Sequence, residues 1–99
     1  MQATYEFDWD AAKTEANARK HGVSFENAMT VFRDPLAVSV YDEAHGEGEE
    51  RWVTIGRAEN GSTVLVVHTF IPALPGNALI RIISAREAPN KERQQYEAG

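Results

Sequence analysis

The sequence predicts an α+β fold: two N-terminal helices, a four-stranded antiparallel meander and a C-terminal helix. Three observations carry this. Apolar residues recur at helical spacing before Asp34-Pro35. Four runs rich in valine, isoleucine and threonine follow. The links between the later runs are short, which favours antiparallel neighbours.

The first helix is predicted to start at Asp8-Trp9-Asp10, where either aspartate can cap, with Trp9, Ala12 and Ala16 on one stripe. It ends near Lys20 or His21, before Gly22, a residue suited to a left-handed helix cap. Ser24 caps a second helix with Phe25, Ala28, Met29 and Phe32 on its apolar side. Asp34-Pro35 stops that helix, because proline disfavours helical geometry in the residue before it. Strands are predicted over 36–41, 51–58, 63–70 and 79–85. The segment 42–50 reads as an acidic loop, Asn60-Gly61 as a tight turn and 71–77 as a connecting loop. Pro89 suits the first turn of a last helix reaching about Tyr96.

The chain has 99 residues, enough for one domain spanning 1–99 with a single core. No apolar run is long enough to span a membrane, and the first residues do not read as a signal peptide, so the default location is cytoplasmic. With no cysteine, disulfides, thiolate zinc sites and cysteine nucleophiles are excluded. No two histidines have metal-ligand spacing, and no metal or other cofactor is expected. The net charge of −5 argues against a nonspecific nucleic-acid binder. The charge is uneven, however. Segment 42–50 holds five acids and no Lys or Arg, whereas 81–93 holds four basic residues and two acids. Screening limits exposed charges to a reach of about 8–10 Å, so a local basic surface survives a negative total.

Arginines placed by strands are the strongest chemical signal. Arg51 and Arg57 bracket one predicted strand, and Arg81 and Arg86 interrupt and end another. A guanidinium on or beside a sheet needs an anion or a carboxylate to meet it. Alternation puts Arg51, Val53, Ile55 and Arg57 on one side of their strand. In the last strand it puts Ile80, Ile82, Ser84 and Arg86 opposite Leu79, Arg81 and Ile83. The bland reading of Arg81 is an ion pair with Glu49 or Glu50; the sharper one is a substrate phosphate. Lys20-His21 complements the dipole of the first helix, or else holds a phosphate and exchanges a proton. Glu47, Glu49 and Glu50 read as a solvated loop, with Glu49 or Glu50 as the alternative general base. His68, alone on a strand, reads as a satisfied group.

Several of these residues fall into a joint pattern. Phe7-Asp8-Trp9-Asp10, Lys13, Asn17, Lys20-His21-Gly22-Val23-Ser24-Phe25-Glu26, Glu49-Glu50-Arg51, Gly56, Arg81-Ile82-Ile83-Ser84-Ala85-Arg86, Glu92-Arg93 and Tyr96 resemble the BrnT family, toxins of type II toxin–antitoxin systems. The resemblance covers nearly the whole chain. It implies a compact fold similar to RelE-type ribonucleases and RNA cleavage without a metal that halts translation. It also implies a cognate ribbon-helix-helix antitoxin through which operator DNA is bound. By motif, the family's basic residues carry over onto Lys20, His21, Arg81 and Arg86, and more loosely onto Arg51.

The residue types suit that chemistry. Attack by a ribose 2′-OH on the adjacent phosphorus needs a base, an acid and fixed cations. Arginine's planar fork can hold two phosphate oxygens. The expected assignment is Arg81 and Arg86 as phosphate and transition-state binders, with Lys20, His21 and Glu50 completing the catalytic set and Arg51 and Arg57 binding RNA. The competing class is a non-catalytic binding module or corepressor acting through a DNA-binding antitoxin. The acidic total and the lack of a clear acid–base pair motivate it.

Overall fold

The computed structural model describes residues 4–42, 50–72, 76–89 and 94. In chain order the elements are β1 (Thr4–Asp8), α1 (Ala11–His21), α2 (Phe25–Met29), a 3-10 turn (Thr30–Arg33), β2 (Val38–Asp42), β3 (Arg51–Arg57), β4 (Thr63–Thr69), β5 (Ile71–Pro72) and β6 (Asn77–Glu87). The strands form one six-stranded mixed sheet in the order β1-β6-β4-β3-β2, with β5 also paired to β6.

This corrects the predicted fold. The two N-terminal helices and four antiparallel strands are present, but a strand precedes the helices and pairs in parallel with β6. The sheet is therefore mixed and larger than a four-stranded meander. The residues of β1 alternate: Tyr5 and Phe7 turn inward, and Phe7 meets Phe32 with ring centroids 5.4 Å apart. Reading Asp8 as a helix start hid this strand. The expected connecting loop at 71–77 also begins with a short strand, β5, on Leu79 and Ala78. The expected C-terminal helix falls almost wholly outside the described residues.

Local chemistry explains the helices. Asp10 caps α1, its Oδ1 accepting from the Ala12 and Lys13 amides at 2.8 and 3.3 Å. Gly22, at φ 74°, closes it by donating to the Ala18 carbonyl. The inward side of α1 is not the expected alanine stripe, since Ala12 and Ala16 are exposed. Buried Asn17 takes that place. Its amide nitrogen donates to the carbonyls of Val23 (2.8 Å) and Ala85 (2.6 Å), and its oxygen accepts from the Ala85 amide (3.2 Å). One side chain thus pairs with β6 as a neighbouring strand would. Thr14 adds a second polar anchor by accepting from the Phe25 amide. Ser24 caps α2, whose Phe25 and Ala28 are fully buried.

The core lies between the helices and one face of the sheet. Phe25, Ala28 and Val31 pack against Val64, Val66, Ile80, Ile82 and Ala85. Gly56 allows the 3-10 turn to sit close on β3: a Cβ there would stand 2.8 Å from Val31 Cγ1 and 3.0 Å from Ala37 Cβ. Asp34 fastens the same junction by accepting from the Leu36 and Arg57 amides. Among the described residues helices cover only one face of the sheet, and the other is called the open face below.

Candidate functional site

Which side chains reach the open face follows from register. Val64 and Val66 of β4 are in the core, so Leu65, Val67 and Thr69 point the other way. Arg51, Val53, Ile55 and Arg57 of β3 share their side, in register with Thr69, Val67, Leu65 and Thr63. On β6 a bulge intervenes. His68 faces Ile82 while Val67 faces Ser84, so Ile83 is an extra residue. The bulge resets the alternation: Ile82 and Ala85 are both buried in the core. Arg81 and Arg86 consequently lie on the same open face, whereas simple alternation had separated them.

By register four arginines fall on this side of the sheet, in two pairs, with Arg57 at its margin, where it also lines a cleft with Thr30, Arg33, Asp34, Ala58 and Glu59. At one end Arg51 and Arg81 stand on either side of Thr69, two strand spacings or roughly 10 Å apart at Cα. Thr69 is buried and its hydroxyl accepts from the Arg81 amide at 3.3 Å. The edge strands complete the row. Asp8 of β1 is in register with Arg81, and Asp42 of β2 with Arg51. Asp8, Arg81, Thr69, Arg51 and Asp42 thus cross five strands as acid, base, hydroxyl, base and acid. The Arg81–Asp8 pair spans 3.6 Å with both side chains 53% exposed, so it is a solvated pair worth at most about 1 kcal/mol. Arg81's carboxylate partner is Asp8; Glu49 lies outside the described residues.

Arg57 and Arg86 stand at the other end, beside Thr63 and Leu65 respectively. Roughly 20 Å of strand separates Arg51 from Arg57. Between the two ends the floor is apolar: Val53, Ile55, Leu65, Val67 and Ile83 line a trough of about 560 Å³ with Val40, Asp42, Arg51, Ser84 and Arg86. Arg51 Nε is buried at this trough without a hydrogen-bond partner among the described residues.

The remaining predicted site residues lie elsewhere. Lys20 and His21 are exposed on the last turn of α1, in the helix layer behind the sheet. Glu50 is exposed immediately before Arg51, at the start of β3. Among the described residues no three His, Asp or Glu side chains converge to hold a metal ion, and no helix is long and apolar enough to cross a membrane.

The covered face has its own polar chain. His68 is buried between the layers. Its Nδ1 donates to the Thr69 carbonyl at 2.8 Å, so the neutral ring presents Nε2 to the Thr54 hydroxyl at 2.6 Å. Thr54 in turn accepts from Ser39 at 2.7 Å. Burial holds the His68 pKa below its ordinary value. Ser39 and His68 border a cleft of about 170 Å³ walled by Tyr5, Phe32, Trp52 and Phe70.

Sequence reasoning missed Asp8, Asp42 and Thr69 as members of the arginine row. Asp42 and Thr69 sit one register position from Arg51 on either side, so strand pairing was the missing information. The family model described as "Ribonuclease toxin, BrnT, of type II toxin-antitoxin system" matches residues 9–92. No curated protein matches the chain.

Proposed function

The chain belongs to the BrnT family of ribonuclease toxins of type II toxin–antitoxin systems, and from that premise we propose that it cleaves RNA without a metal on the open face of its sheet. The observation that carries this reading is the row in which Arg51 and Arg81 bracket Thr69. Two guanidiniums roughly 10 Å apart at Cα can converge on one phosphodiester, because each side chain reaches well beyond its backbone.

In the proposed reaction the ribose 2′-oxygen attacks the adjacent phosphorus. A 2′,3′-cyclic phosphate forms, the 5′-oxygen leaves, and that oxygen takes up a proton. Arg51 and Arg81 hold the non-bridging oxygens as negative charge builds on them. Asp8 holds the Arg81 guanidinium until a phosphate displaces their solvated contact, and Asp42 stands in register beside Arg51. Glu50, beside Arg51, is assigned the proton from the 2′-OH in preference to His21, which sits in the helix layer. Arg86 and Arg57 meet phosphates further along the strand of RNA, with Lys20 as an outlying contact.

Translation stops as messenger is consumed in the cytoplasm. The neutralising antitoxin is of the ribbon-helix-helix type, and operator DNA is contacted through it. The carboxylates flanking the arginine row favour one competing reading, a non-catalytic corepressor in which they keep the guanidiniums occupied.

One experiment separates the two. The chain, purified free of antitoxin, is incubated with RNA in EDTA. Cleavage with cyclic phosphate ends supports the enzyme, and replacing Arg81 and Arg86 by alanine should slow it at least about 10²–10³-fold. Intact RNA with the wild-type protein, or full activity in the double variant, would reject the assignment.

A further inference from the structure

The aromatic cleft on the covered face takes no part in the proposed reaction. Its walls Trp52, Phe70 and Ile80 are the chain neighbours of Arg51, Thr69 and Arg81, so it lies behind the arginine row at the same end of the sheet. Tyr5 and Phe32 wall the rest of its 170 Å³ or so. The rings meet edge to face, Trp52 and Phe70 at 6.5 Å and Tyr5 and Phe32 at 6.4 Å. None of these pairs stacks flat, which leaves ring faces for a flat guest.

The polar side of the cleft has a fixed sense. The Thr69 carbonyl only accepts, so the neutral His68 ring carries its proton on Nδ1 and must accept at Nε2. Thr54 gives its one proton to that nitrogen, and Ser39 therefore donates to Thr54. The hydroxyl of Ser39, at the border of the cleft, is left with acceptor capacity alone. Trp52 supplies the opposite group: its Nε1 is a buried donor without a hydrogen-bond partner among the described residues. Such a donor is costly to leave unmet, which favours a guest that brings it an acceptor.

From this we propose that the cleft binds a nucleobase. Every base sets an N–H donor beside an acceptor on its Watson–Crick edge. The flat ring lies among the aromatic walls, its N–H donates to Ser39 Oγ, and the adjacent acceptor turns the indole edge of Trp52 towards itself. The base comes either from RNA carried round the end of the sheet from the arginine row or from a free nucleoside. The first source rests on the ribonuclease reading; the second stands without it.

Nucleosides are the probes, because they lack the phosphate that Arg51 and Arg81 would hold. Binding to the whole chain is followed by tryptophan fluorescence and equilibrium dialysis. Uridine should bind with a Kd of about 1 mM or tighter, and 3-methyluridine, which lacks only the N–H donor, about tenfold more weakly. Ser39→Ala removes the acceptor, and Phe70→Leu removes one ring while keeping apolar bulk; each should weaken uridine about tenfold. The urea midpoint checks folding, and Ser39 is exposed, so its variant should keep the wild-type value. A non-cleavable RNA that displaces uridine assigns the base to RNA, and Ser39→Ala should then also change which base flanks the cut. RNA and uridine bound together assign the cleft to free nucleosides.

No uridine binding at about 10 mM, equal affinity for 3-methyluridine, or unchanged affinity in both variants overturns the proposal. Uridine bound in the cleft of a protein that leaves RNA intact rejects the ribonuclease reading and keeps the base site. Cleavage of RNA without uridine binding does the opposite.

Discussion

The two faces of this sheet are made from the same strands and meet opposite demands. On β4, Val64 and Val66 are sealed under α2, while Leu65 and Val67 floor an open trough one residue away. The covered face is held by shape: Phe25, Val31 and Ile80 are completely buried. The open face places its charges at the ends and leaves apolar side chains between them. The contrast separates stability from activity within one element, because alternate residues of a strand answer to different partners.

The largest effect should come from the covered face. Phe25→Ala empties the centre of the core and should cost about 3–5 kcal/mol. That is a large share of the roughly 5–15 kcal/mol that stabilises a domain. A lower urea midpoint is the readout. If Phe25→Ala leaves the midpoint in place, the covered face is not the core.

Replacing open-face charge should do the reverse. Arg51→Ala is expected to lower RNA cleavage about 10²–10³-fold while moving stability by less than about 0.5 kcal/mol. Equal losses of both would dissolve the distinction between the faces, because Arg51 would then be a structural residue.

How much of this was legible depended on whether a residue's neighbours are local. The helix caps at Asp10, Ser24 and Gly22 depend on residues within four positions, and the sequence shows them. The parity of β3 is equally local, and it put Val53 and Ile55 on the side of Arg51, where they line the same trough. The bulge at Ile83 is not local: it exists because β4 and β6 must each keep their apolar side in the core, and no glycine or proline announces it. It decides whether Arg81 and Arg86 cooperate. β1 was hidden because its pairing partner lies some seventy residues downstream. Asn17 was legible only as a member of a family pattern. Its amide pairs with Ala85, 68 residues away, and no spacing rule reaches that far.

The polar chain beneath the sheet gives an intermediate effect with a distinct pH signature. His68 in the folded protein has a pKa held below 6.5 by burial. In the unfolded chain it takes a proton more readily. Its contribution to stability is therefore fully present above about pH 6.5 and is lost as the pH falls through the folded value, by at most about 1.4 kcal/mol per pH unit. His68→Gln should flatten the urea midpoint between pH 7 and 5. A slope that persists in that variant assigns the effect to carboxylates instead.

The smallest predicted change tests whether the row across the open face is an architectural or a functional device. Asp8→Asn keeps the shape of β1 and removes the charge opposite Arg81. Because the pair is half exposed, stability should change by less than about 1 kcal/mol. RNA affinity should rise, since Arg81 no longer exchanges one carboxylate for a phosphate, and the gain should shrink as salt screens the pair. Weaker RNA binding in Asp8→Asn would mean that the aspartate orients Arg81 more than it competes for it. The row would then be a pre-organised clamp, its acids as necessary to the bound state as its bases.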